Sequence, residues 1–168
     1  ISNQGEVMEK QKKSESKNIG VVTFNVGAEI VGIELKYIHE IINLTNITQL
    51  YRVPEYIVGI TNLRGQIKTV VDLKMFLGLN EADEMQPSEL TEKKGLLISA
   101  DDVDAIALVD KINNVEWFNE DSLREPPDTT PENLKEFTTN LVYTQKKPIV
   151  VISGEKILKS EVWDEFKE

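Results

Sequence analysis

Residues Gly59–Leu73, GITNLRGQIKTVVDL, decide how this chain of 168 residues folds. They read as strand, tight turn, strand, with the turn at Asn62–Gly65 (NLRG). Hairpin turns favour Asn and Gly, which tolerate backbone angles that other residues resist. Asn62 and Gly65 meet that need, whereas Leu63 and Arg64 do not. The simplest reading is a four-residue loop with Gly65 in a left-handed conformation. Leu63 then either folds back under the turn or presents an apolar spot. A guanidinium at the tip is free for bidentate or stacking contacts with a partner.

Working outward, Ile19–Leu35 holds two Val- and Ile-rich runs around Gly27 and Ala28, a second hairpin signal. Leu35, Ile38 and Ile41 recur at spacing three and predict a short helical turn. IINL and ITQL add short strands before the opening stretch. After it, Asp72 suits the N-cap of a helix of one or two turns, and Gly78 suits its stop. Asn80–Gly95 is acidic, contains a proline and reads as a linker. Strand patterning resumes in GLLISA and VDAIALVDKINNVEWF. Glu120–Glu136 carries three of the six prolines and reads as loop. FTTNLVYTQ and KPIVVIS predict a late hairpin. Ser153 is placed to cap a closing amphipathic helix, with Leu158, Val162 and Phe166 at spacing four and Trp163 beside them. Trp117, Phe118 and Trp163 are expected in the core.

Residues 1–18 are polar and read as a mobile tail. The remainder, 19–168, reads as one domain of two subdomains, about 19–80 and 96–168, joined by the linker at 80–95. A faint repeat, Ile33 and Leu35 against Ile106 and Leu108, fits that division. Many short strands with few helices predict a mainly β fold of barrel type.

The absence of Cys excludes a disulfide scaffold, a Cys nucleophile and thiolate metal sites. A formal net charge of -10 repels phosphate backbones and anionic lipids, so neither nucleic acid nor direct membrane insertion is expected. His39 is the one histidine, too few for a two-His metal site, and reads as structural or surface. Asp101–Asp104 (DDVD) resembles the opening of a calcium loop but lacks its glycine and later glutamate, so these are read as turn residues. Neither a GxGxxG nor a GxxxxGK[ST] phosphate loop occurs.

Taken in order, the strand VGIEL, then IHEII, the proline of VPEYIVG, the turn GITNLRG and VVDL resemble the first half of CheW-type coupling proteins of bacterial chemotaxis. The second half is more loosely similar, and the resemblance spans roughly Gly20 to Trp163. It implies a mainly β fold: two SH3-like five-stranded β-barrel subdomains sharing a core, with short helices and a C-terminal amphipathic helix. It also implies a non-enzymatic, cytoplasmic protein without a cofactor. Such a protein joins the cytoplasmic signalling domain of a chemoreceptor to the regulatory domain of the histidine kinase CheA, and is recruited to membrane-associated receptor arrays through those partners. A CheW-like module from a larger CheV-like or CheA-like protein is the alternative. Carried over by position, the partner-binding residues are Ile38, Glu40, Gly59, Asn62, Arg64 and Gly65, with Leu63 as the apolar side chain of the tip. One departure stands out: the family usually has proline where Thr69 follows the polar Lys68.

Overall fold

The computed structural model describes residues 18–79 and 94–160. All of the predicted tail but Asn18, most of the acidic linker and the end of the predicted closing helix, with Val162, Trp163 and Phe166, lie outside them. Strands β1 (Asn18–Val26) and β2 (Glu29–Glu34) form the first hairpin. Gly27 takes a φ of 60° at its turn and donates its N–H to the Asp110 carboxylate at 2.9 Å. The helical turn predicted next is confined to a 3-10 turn at Leu35–Tyr37. Ile38 and Ile41 belong instead to β3 (Ile38–Asn43). β-Branched side chains with a partner strand available favour the extended chain, and that overrides the spacing-three pattern.

The opening stretch forms β4 (Ile57–Leu63) and β5 (Gln66–Asp72), followed by helix α1 (Leu73–Phe76). Asp72 caps α1 as expected, its Oδ1 accepting from the N–H groups of Lys74 and Met75 at 3.0 and 3.3 Å. Gly78 ends it at a φ of 70°. ITQL supplies only an isolated bridge, Thr48 to Ile60. Strands β6 (Lys94–Ala100), β7 (Val103–Val109) and β8 (Lys111–Asn119) follow. The proline-rich stretch is more ordered than its composition predicts. It holds β9 (Leu123–Arg124) and helix α2 (Glu132–Lys135), because Leu134 and Phe137 are buried and tie it to the core. The late hairpin is β10 (Thr138–Val142) and β11 (Ile149–Ile152). Helix α3 (Gly154–Leu158) begins at a Ser153 cap, as predicted.

The strands form two sheets, ordered β8-β1-β2-β11-β10-β9 and β3-β6-β7-β5-β4. The first therefore has six strands rather than five, the sixth being the two-residue β9. The sheets do not follow the predicted division at 80–95. The first takes its strands from both ends of the chain and the second takes the middle, and each holds one parallel pair, β2 with β11 and β5 with β7. The faint repeat does not survive either: Ile33 faces the core between the sheets, Leu35 is exposed, and Ile106 and Leu108 lie on the opposite face of β7.

One core lies between the sheets. It gathers Val22, Phe24 and Ile33 from the first sheet, Leu96, Ile98 and Ala107 from the second, and Ile157 and Leu158 from α3. Alternate residues of the same strands fill smaller clusters on the far faces. Leu97, Val70, Ile106 and Leu108 do so in one sheet, Ile149 and Val151 in the other. Strands buried on both faces carry continuous apolar runs instead of alternation, which is why GLLISA and IVVI look as they do. Each such side chain contributes about 1.5–3 kcal/mol of burial.

Trp117 departs from its expected core position: it is 64% exposed on the edge strand β8, its ring lying over Gly20, where a Cβ would meet ring carbons at 2.9 Å. Phe118, next to it, is half-buried in the far-face cluster.

Asp72 is 3% exposed, and losing its carboxylate leaves the part-buried N–H groups of Lys74 and Met75 without that acceptor. Asp72→Ala should lower stability by about 2 kcal/mol, and Asp72→Asn, which keeps an acceptor, by less. Urea unfolding of both variants checks the order.

Candidate functional site

The turn between β4 and β5 is tighter than the sequence implies. Leu63 pairs with Gln66, so the loop is the two residues Arg64 and Gly65. Both have positive φ, 51° and 86°, as in a type I′ turn, the connection whose twist matches that of the flanking strands. Asn62 stands outside the loop and braces it: its Oδ1 accepts the Gly65 N–H at 2.8 Å. The unexpected residue is Arg64. A side chain bearing a Cβ costs about 1–2 kcal/mol in the left-handed region, and Arg has no short polar group to offset it.

Arg64 is held across a gap. β3 and β4 are the two edges of the five-stranded sheet, and the Nη2 of Arg64 donates to the Oε2 of Glu40 on β3. This ion pair joins two sheet edges through side chains. It is largely solvated, with 68% of the Arg64 side chain and 29% of the Glu40 side chain exposed, so it contributes at most about 1 kcal/mol.

Leu63 folds back, half-buried in the far-face cluster with Val70 and Leu97. Gly59 is buried, and a Cβ there would meet the Thr48 carbonyl oxygen at 2.2 Å. The close backbone approach that this glycine permits is therefore made by the chain itself, through the Thr48–Ile60 bridge. Ile38 packs half-buried against the central core, whereas Ile41, on the same strand, is 52% exposed. Of the seven predicted site residues, Glu40, Leu63 and Arg64 come together around one open depression of about 540 Å³. Asn62 and Gly65 shape the turn beside it, and Gly59 and Ile38 sit deeper in the fold.

Sequence reading missed two residues that complete the depression, Lys68 of β5 and Asp104 of β7. Their charges meet at 2.6 Å. The signal was present in pieces, as Lys68 beside the anomalous Thr69 and as Asp104 at the end of DDVD. Only the parallel pairing of β5 with β7 brings them together. Exposed His39 stands at the rim. Among the described residues there is no group of three or more His, Asp or Glu arranged to hold a metal ion.

The most distinctive surface of this two-sheet β protein is a charged, braced hairpin tip beside an open depression. The chain belongs to the CheW-like domain family, whose model matches residues 20–162. It is 23% identical over 141 residues to the chemotaxis protein CheW of Treponema pallidum, covering 84% of this chain and 82% of that protein. Klebsiella aerogenes has a chemotaxis protein CheW 24% identical over 139 residues, 82% of this chain and 80% of that one. The crystal structure of the scaffolding protein TtCheW from Thermoanaerobacter tengcongensis superposes with a TM-score of 0.69 at 28% identity, covering 80% of this chain and 88% of that chain. The mainly β fold expected from the resemblance is the fold found, built as two sheets, as in that neighbour.

Two substitutions test the turn. Arg64→Asn places a residue suited to a type I′ turn where Arg is strained, so its unfolding midpoint should equal or exceed that of the parent despite the lost ion pair. Gly65→Val puts a β-branched residue at positive φ and should cost about 1–2 kcal/mol, read in the same denaturation series.

Proposed function

We propose that this chain is a non-enzymatic adaptor of bacterial chemotaxis, coupling the cytoplasmic signalling domain of a chemoreceptor to the regulatory domain of the kinase CheA. Membership of the CheW-like family supports the pathway, and the similar TtCheW is described as a scaffolding protein. The observation that carries the reading is Arg64 itself. A strained residue at an exposed tip, where Asn would fold more easily, points to a use of the side chain beyond the turn. A guanidinium offers a fork of donors suited to carboxylates on a protein partner. Glu40 orients that fork, and Leu63 and Leu97 supply apolar area beside it in the depression. Asn62, Leu63 and Gly65 hold the tip in place, and Gly59 and Ile38 set the strands behind it. No helix among the described residues is long and apolar enough to cross a membrane, and we assign the protein to the cytoplasm, at receptor arrays that it reaches through its partners.

Co-sedimentation with a receptor signalling fragment and the CheA regulatory domain, each alone and together, tests the proposal. The parent chain should pellet with both, and Arg64→Asn should lose at least one partner without losing stability. An Arg64→Asn variant that couples both partners as the parent does would remove the tip from the interface.

A further inference from the structure

Building on the adaptor reading, we infer that Lys68 and Asp104 form a second charge pair that sets the orientation of the bound partner. That partner presents a carboxylate to Arg64 and a cationic side chain to Asp104.

The placement follows from strand register. β5 and β7 run parallel with Val70 opposite Ile106, so two residues earlier Lys68 lies opposite Asp104. Both share the face of Val70 and Ile106, where those side chains join Leu97 in the far-face cluster. Lys68 and Asp104 therefore cap an apolar cluster at its open end, beside the hairpin tip. A pair this exposed adds little net stability, so two apolar side chains would serve the fold as well. The charges do impose specificity, because a wrongly charged partner is repelled.

The two ion pairs of the depression are asymmetric in the same way. In each, one member is sunk and the other faces outward. The side chains of Lys68 and Glu40 are 12% and 29% exposed, against 36% for Asp104 and 68% for Arg64. The outward members have opposite sign, Arg64 positive and Asp104 negative, with Leu63 and Leu97 also lining the depression. Neither outward group is used up by its internal contact. Arg64 meets Glu40 through Nη2 and Asp104 meets Lys68 through Oδ2, while a guanidinium has five N–H donors and a carboxylate about four acceptor positions. A partner seated here satisfies both with an acid and a base in that order, and the reverse order is penalised at both walls.

The test exchanges the two residues. The double variant K68D/D104K keeps an opposite-charge pair and reverses the sign of the outward wall. Affinities for the receptor signalling fragment and for the CheA regulatory domain are measured beside the unfolding midpoint. The midpoint should stay near that of the parent, and affinity for one of the two partners should fall about tenfold or more. Asp104→Asn, a change of charge with little change of shape, should weaken the same partner by a smaller factor and serves if the exchange fails to fold. Exchange and Asp104→Asn variants that bind as tightly as the parent overturn the orienting role and leave the adaptor reading intact. Failure of the parent itself to bind either partner overturns the adaptor reading, and this inference with it.

Discussion

Burial on both faces of the central strands is the constraint on which the fold rests. β6, β7 and β11 send alternate side chains into the core between the sheets and into a far-face cluster. Such strands must be covered on both sides, so each sheet has to pack on the other and also close over its own outer cluster. The short helices complete the cover: Leu73 and Leu77 at α1, Leu134 at α2, and Ile157 and Leu158 at α3 are all buried in the shared core. Little of that surface is left for chemistry, and the polar features of the molecule are pushed to hairpin tips and sheet edges. Arg64 and Glu40 lie on such an edge, and Lys68 and Asp104 close the outer cluster next to them.

The tip shows how backbone geometry and surface charge are divided. Asn62 and Gly65 make the turn, and Gly59 brings the neighbouring chain close behind it. Those three positions act on the backbone. Arg64 works against that backbone preference, and its ion pair with Glu40 is too solvated to repay the difference. The geometry of the tip is thus set by residues that act on the backbone, and its charge by residues that contribute little to folding.

Local elements were legible wherever one residue carries a local signal. The Gly27 turn, the Asp72 cap, the Gly78 stop and the Ser153 cap all stand where sequence put them. Patterns that depend on a distant neighbour misled. Ile38 and Ile41 have helical spacing, but β6 is available to pair with them. Trp117 is apolar and large, yet its strand is an edge and the ring covers a glycine instead of entering the core. The linker at 80–95 marks a composition change, not a boundary between sheets. At the tip, the place of the turn and the left-handed Gly65 were readable because turn chemistry is local, but the loop is two residues, not four. Lys68 with Asp104 was not readable, because 36 positions of sequence separate two residues that only a parallel pairing brings together.

The interleaving of the sheets also governs how the chain can be made. β1 and β2 are made before the other strands described, yet β1 must wait for β8 and β2 for β11. The five-stranded sheet, whose strands are contiguous in the chain, can assemble while the amino-terminal hairpin is still unpaired on its outer edges. Contacts of such long sequence separation slow assembly and leave apolar edges open to other nascent chains in the interval. Drawing strands from before and after the five-stranded sheet into one sheet thus commits the molecule to completing the six-stranded sheet last.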